Sequence, residues 1–295
     1  MKKFSYHRPK NLDQGITLLE RHGETAVLLA GGTDLLVELK NRVKVPRHVI
    51  DLKAMAFLEG IAGSAAEGLT LGPLTTLAEL SASPLLRNGL EVLAQAAERV
   101  GSLQVRNRAT IGGNICHASP SGDTLPALLC LNARMKIKGK TGVREVPMQC
   151  FFTGPGECNL RPGEILTAIL LPPLPEGMRG VYKKFSLRNS MDLAIAGVAA
   201  LGAFDPAGGK FREIRLGLGA VAPTPIRASR AEEILTAGPL DEARIAQAAQ
   251  AASMEAAPIS DLRASAWYRR EMIRRLTEEA VREISNFEIR TPNLY

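Results

Sequence analysis

The sequence predicts an α+β fold: two small sheet-and-helix units followed by a C-terminal domain with a three-stranded antiparallel sheet and helices. Three observations carry this. The first 57 residues alternate strand and helix patterns, the next stretch breaks into short glycine-punctuated strands, and beyond a proline-rich junction three strands come before a run of helices.

In the first unit (1–57), alternating Phe4 and Tyr6 mark a strand that Pro9 ends. Asn11 or Asp13 can cap a helix with Leu12, Ile16, Leu18 and Leu19 at apolar positions and Gly23 at its end. "TAVLLA" reads as a buried strand, "TDLLVELK" as a helix and "HVIDL" as a strand, which together give a small parallel sheet with covering helices. In the second unit (58–175), "FLEGIAGSAAEGLTLGPLTTLAEL" contains short strands, helices follow at about 75–81 and 84–100, and "ARMKIKGKTGVREVPMQCFFTGPGECNLRPGEILTAILLPP" reads strand, turn, loop, strand. Pro172, Pro173, Pro175 and Gly177 mark the boundary. In the third unit (178–288), "GVYKKFSLR", "AIAGVAALGAF" and "FREIRLGLGAVA" are consecutive strands with a hairpin signal at "DPAGGK", and helices fill about 228–285.

With 45% hydrophobic and 23% charged residues, the chain has the balance of a globular protein with a sizeable core. It has no apolar run long enough to cross a bilayer and no signal-peptide core, so the cytoplasm is the expected location. The four cysteines, Cys116, Cys130, Cys150 and Cys158, form no CxxC, which predicts reduced thiols. Cys116 beside His117 has no second pair at ligand spacing. A net charge of +7 suits a polyanion, an acidic partner or a phosphate-rich cofactor. Aromatic residues make up only 4%, and Arg269, Arg270, Arg274, Arg275 and Arg282 are interleaved with glutamates, the pattern of a solvated helix face and not of a nucleic-acid platform.

Two motifs are decoys. "GLGAVA" at 217–222 has dinucleotide-fingerprint spacing, but Pro223 and Pro225 stand where the phosphate-binding helix would begin, so it reads as a strand end. "GKT" at Gly139 lacks the first glycine of a P-loop, since Arg134 holds that position.

The informative pair is "AGGTD" at 30–34 and "TIGGN" at 110–114. Each joins a threonine, two adjacent glycines and a short polar residue beside an apolar segment. Bare backbone lets amides converge on phosphate oxygens, and two such loops suit a diphosphate gripped from both sides. Asp34 opposes an anion, so it is expected to cap a helix or accept from a sugar hydroxyl. Asp123 or Thr124 can cap the next helix, with Pro126 in its first turn, and the Asp123 carboxylate can also accept from a ribose diol. Ile165 and Leu166 are either core or cover for a flat ring, and Lys183, Lys184 and Arg188 fall near the domain junction.

Four segments, "LLAGGTDLLVELK", "RNRATIGGNICHASPSGDTLPALLCL", "FFTGPGECNLRPGEIL" and "YKKFSLRNSMDLAIAGVAA", occur in the order seen in the FAD-binding medium subunits of molybdenum hydroxylases. The chain resembles that family, which includes the xanthine dehydrogenase, carbon monoxide dehydrogenase and aldehyde oxidase enzymes, over nearly its whole length. The resemblance implies the vanillyl-alcohol-oxidase-like (PCMH-type) FAD-binding fold of two subdomains plus a C-terminal domain. It implies FAD in this chain and an electron-transfer role: electrons come from a [2Fe-2S] small subunit, molybdopterin sits in a large subunit, and NAD or another acceptor takes the pair. It places the diphosphate loops on Ala30, Gly31, Gly32, Thr33, Asp34 and on Thr110, Ile111, Gly112, Gly113, Asn114. It also places an FAD-contacting carboxylate on Asp123, Val100 and Leu166 along the flavin, and a lysine near the ring on Lys183, with Lys184 one residue away. The cysteine-rich insertion of a benzoyl-CoA-reducing branch is absent after "TIGGN", so no metal is expected in this chain. The competing readings are a free-standing FAD oxidase or reductase of the same fold and a non-enzymatic binding subunit.

Overall fold

A computed structural model describes residues 1–286. The first unit is strand β1 (Ser5–His7), helix α1 (Leu12–His22), β2 (Ala26–Leu29), α2 (Leu35–Lys40) and β3 (His48–Asp51). The three strands pair in parallel in the order β1-β3-β2. Asn11 is the cap of α1, accepting from the Gln14 amide, and Gly23 ends the helix at φ +50. Ile16 on α1 packs with Leu52, Met55, Leu58, Leu74 and Ile165 in a small core that already contains residues of the second unit.

Then follow β4 (Ile61–Ser64), β5 (Gly68–Leu71), α3 (Leu77–Ala82), α4 (Glu91–Glu98), α5 (Leu103–Arg106), α6 (Ile111–His117), α7 (Thr124–Cys130), β6 (Arg134–Gly139), β7 (Gly142–Pro147), β8 (Phe152–Gly154), β9 (Glu157–Cys158) and β10 (Ile165–Leu171). Five of these strands form an antiparallel sheet ordered β4-β5-β10-β6-β7. Thr76 starts α3 with a reciprocal capping box to Glu79. "TIGGN" departs from the expected loop beside a strand: it is the first turn of α6, with Thr110 as the cap.

The C-terminal part contains β11 (Met178–Phe185), β12 (Ala196–Asp205), β13 (Lys210–Gly219), β14 (Ile226–Arg227), α8 (Ser229–Thr236), α9 (Glu242–Glu255) and α10 (Ala266–Ser285). The sheet is antiparallel with four strands instead of three, because two residues after the Pro223–Pro225 turn pair with the end of β13. Residues 287 and 288 of the expected domain lie outside the described residues.

This sheet is buried on both faces, which explains the nearly unbroken apolar run of β12. Val198 and Ala200 face α8, α9 and α10, while Ala199 and Leu201 share a core with α4 and α7. The "GLGAVA" decoy serves that packing: a Cβ at Gly217 would lie 2.4 Å from the Pro126 carbonyl oxygen on α7. Arg269 departs from the solvated face expected for α10. It is 4% exposed, donates to the Ile195 and Ala220 carbonyls and pairs with Asp261 at 2.8 Å. No helix among the described residues is long and apolar enough to cross a membrane.

Candidate functional site

A cleft of about 910 Å³ runs along edge strand β2, past the start of α6, to the end of α4 and the segment before β10. That volume is at the upper end of the roughly 300–1,000 Å³ of ligand sites, as an extended dinucleotide requires.

Its first wall is the loop between β2 and α2. Among the described residues, the amides of Gly31, Gly32, Thr33 and Asp34 donate to no protein acceptor, so four adjacent N–H groups are available to a ligand. Gly32 holds φ +79, a left-handed conformation that glycine adopts without steric cost. Gly31 is bare for a different reason: a Cβ there would lie 2.0 Å from the Arg108 carbonyl oxygen, so the first loop abuts the residues leading into the second motif. From below, the Lys53 ammonium donates to the Ala30 carbonyl (3.2 Å) and pairs with buried Asp51 (2.8 Å), which also accepts from the Tyr6 hydroxyl. Burial pushes the Asp51 carboxyl up, but the hydrogen bonds from Lys53 and Tyr6 outweigh it and hold the group below its ordinary value. Asp34 is exposed at the head of α2, and its side chain makes no cap bond.

The second motif behaves differently. The Ile111 amide donates to Thr75 O (3.0 Å), Gly112 to Pro73 O (2.9 Å), Gly113 to the Thr110 hydroxyl oxygen (3.1 Å) and Asn114 to Thr110 O (3.0 Å). Its backbone donors are therefore spent on the fold. Gly112 is bare because a Cβ would fall 2.5 Å from Pro73, whereas a Cβ on Gly113 would meet only the Thr110 hydroxyl within 4 Å. The Asn114 carbonyl oxygen accepts from Thr124 (2.6 Å), which leaves the amide nitrogen of that side chain as the motif's donor on the cleft.

Behind the cleft, Asp123 is 5% exposed and accepts from the Tyr182 hydroxyl and the Lys184 ammonium, each at 2.8 Å. Lys184 also donates to the Arg99 and Asp192 carbonyls, both at 3.0 Å. Burial pushes the Asp123 carboxyl above its ordinary value in spite of the neighbouring ammonium, and it raises the Tyr182 phenol as well. Asp123 precedes α7 but makes no side-chain cap bond, so its carboxylate is committed to strand β11. The 160–166 wall is held by Arg144, whose guanidinium grips Glu164 through two bonds (2.8 and 2.6 Å) and donates to the Asn159 carbonyl (2.6 Å).

Residues 2–174 match the family described as the FAD binding domain in molybdopterin dehydrogenase, and residues 181–284 match the CO dehydrogenase flavoprotein C-terminal domain. The chain belongs to this family of FAD-binding subunits. A putative xanthine dehydrogenase FAD-binding subunit of Escherichia coli is 37% identical over 95% of each chain. The glyceraldehyde dehydrogenase medium chain of Sulfolobus acidocaldarius is 33% identical over 96% of this chain and 99% of that one. Among solved structures, a carbon monoxide dehydrogenase from Hydrogenophaga pseudoflava superposes with a TM-score of 0.90 at 34% identity, over 95% of this chain and 96% of that chain.

As an FAD-binding subunit of the molybdenum hydroxylase family, the chain has the PCMH-type fold expected of it. Of the residues expected at the cofactor, Ala30, Gly31, Gly32, Thr33, Asp34, Val100, Thr110, Gly112, Gly113, Asn114, Asp123 and Leu166 all line the one cleft. Two do not. Ile111 is fully buried in the core on the other side of α6. Lys183 points to the opposite face of β11 from Lys184, as strand alternation requires, and its ammonium meets Glu283 on α10 at 2.5 Å. Sequence reasoning missed Lys53, Tyr182 and the Arg144–Glu164 clasp. Each acts through another residue of the site, and none carries a motif of its own.

Proposed function

We propose that this subunit holds an extended FAD along the cleft and works as the electron-transfer member of a three-subunit complex. In that complex a large subunit carries molybdopterin, a small subunit carries [2Fe-2S] clusters, and NAD or another acceptor receives the electrons. The observation that carries the reading is the row of four unpartnered amides from Gly31 to Asp34 on a cleft of about 910 Å³. The residues fit the group. Gly31 to Asp34 would hold the diphosphate, the Asn114 amide would add a side-chain donor, Val100 and Leu166 would cover the ring, and Asp123, held by Tyr182 and Lys184, would set the negative charge behind that wall. Bound FAD supplies the exchange between single-electron carriers and a two-electron acceptor. The protein's part is placement, electrostatics and exclusion of water. Lys184 keeps a positive charge behind Asp123, and apolar Val100 and Leu166 keep the adjoining wall dry.

The test is purification of the subunit from its native host together with whatever accompanies it. One flavin per chain and co-elution with molybdenum and iron–sulfur subunits are expected, with substrate bleaching the flavin only in the assembled complex. Recovery of a flavin-loaded chain alone that turns over substrate would establish the free-standing oxidase or reductase instead. A chain that takes up no FAD on reconstitution would be a non-enzymatic binding subunit.

A further inference from the structure

Three of the chain's four histidines meet where the last turn of α1 comes against β1 and the start of β3. His7 closes β1, His22 is the last residue of α1 and His48 opens β3. Parallel pairing sets Ser5 opposite His48 and His7 opposite Ile50, so His7 and His48 share the face that α1 covers. His7 Nε2 lies 3.0 Å from His48 Nδ1, and the His22 ring stacks on His48 with centroids 3.6 Å apart. One ring nitrogen from each residue can be chosen so that all three lie within 4.8 Å of one another.

These imidazoles have only each other. Among the described residues, His7 and His48 share one hydrogen bond, and no side-chain hydrogen bond involves a ring nitrogen of His22. All three are half-buried, so solvent reaches the group without displacing it. The apolar packing of α1 on the sheet is supplied by Leu12, Ile16, Leu19 and Leu28 and needs no imidazole at the end of the helix. The α1 C-terminus directs its free carbonyl ends and negative dipole charge toward this corner, which favours a cation.

We propose that His7, His22 and His48 form a binding site for one divalent transition ion of the zinc class, which clips the end of α1 to β1 and β3. Imidazole nitrogens bond such ions at about 2.0–2.1 Å, which requires donors about 3.3 Å apart, so on binding the half-buried His22 ring turns out of its stack on His48 and the ion replaces the His7–His48 hydrogen bond. Three neutral nitrogens leave a fourth position for water. The set contains no carboxylate, so it does not suit the oxygen-seeking ions magnesium and calcium. The site is separate from the cysteines: Cys116 lines the flavin cleft and Cys158 lies beside it.

The test is equilibrium dialysis of the full, chelator-stripped chain against zinc chloride, with melting temperature as a second readout. Wild type should bind one zinc, and zinc should raise its melting temperature while magnesium does not. His22→Gln and His48→Gln should each weaken binding at least ten-fold and abolish the thermal shift, and Cys158→Ser should change neither. His22 is half-exposed on the last turn of α1, so its variant decides the matter if His48→Gln fails to fold. No zinc bound by wild type at hundred-fold excess, or binding retained in His22→Gln and lost in Cys158→Ser, overturns the site.

Discussion

Lys184 and Asp123 form an ion pair of 2.8 Å with side chains only 4% and 6% exposed, and this pair joins the C-terminal sheet to the wall of the cleft. Such a pair is costly to break from one side, because the remaining charge stays in a low-dielectric site, typically at about 3–5 kcal/mol. Lys184→Met should therefore destabilise the chain by about 3 kcal/mol. The double variant Asp123→Asn/Lys184→Met should recover most of that loss, which denaturant unfolding would measure. The Asp123 carboxyl is raised in the folded state, so its contribution is complete below the unfolded value of 3.8 and is lost as pH rises through the folded one. In Lys184→Met the loss should deepen as pH rises. A double variant as unstable as the single would show that the two charges are not coupled.

The two glycine motifs should respond differently to a side chain. Gly31→Ala drives a Cβ to 2.0 Å from a backbone oxygen, so the expected outcome is loss of folded protein. Gly32→Val adds the strain of a left-handed conformation, about 1–2 kcal/mol, and crowds only the Leu29 and Leu36 side chains. It should yield folded chain with flavin content reduced at least ten-fold. Gly113→Val crowds the Thr110 cap and should lower flavin content with a smaller loss of stability than Gly31→Ala. Absorbance ratios of flavin to protein, with circular dichroism as the folding control, separate these outcomes. Full flavin in both valine variants would remove the loops from the site.

Legibility in the sequence followed the range of the interaction. The strand–helix alternation of residues 1–57 and a cap at Asn11 or Asp13 depend on periodicity and on neighbours a few positions away; the alternation appears where the pattern placed it, and of the two cap candidates it is Asn11 that caps α1. The glycines were legible as bare backbone, but their separate purposes were not. Gly112 is set by Pro73 and Gly31 by Arg108, partners that only the tertiary fold brings near. The choice between Lys183 and Lys184 turned on strand parity, since a shift of one residue reverses the face and adjacent lysines look alike in sequence. The histidine corner left no trace, because residues 7, 22 and 48 have no ligand spacing until β1 and β3 pair and α1 folds over them.

The Arg144–Glu164 clasp should make the cleft wall sensitive to acid. The hydrogen bonds from Arg144 are the main cause holding the Glu164 carboxyl below its ordinary 4.5, against the upward push of burial. Its stabilising contribution is therefore present above the unfolded value and lost as pH falls through the folded one. Arg144→Gln should lower the melting temperature at pH 7 by roughly 2–4 °C, the effect of about 1 kcal/mol in a chain of this size. The gap to wild type should close as pH falls below about 4.5. A gap that is constant from pH 7 to pH 3 would mean that the clasp contributes nothing through its charge.

Cys158 should be the reactive thiol beside the cleft. The neighbouring Cys116 side chain is the largest cause lowering it to about 7, against partial burial, and Cys158 in turn, with burial, raises Cys116. Cys130 is buried beneath β12 and pushed up to about 12, so it should stay unlabelled. Alkylation of the folded chain with iodoacetamide, followed by peptide mass spectrometry across pH 5.5 to 9, should show Cys158 modified with a midpoint near 7. In Cys116→Ser the hydroxyl is a stronger donor than the thiol, so the midpoint should stay low. In Cys116→Ala it should rise toward the ordinary thiol value of about 8.5. A wild-type midpoint already at 8.5 would show that the Cys116 side chain does not stabilise the thiolate.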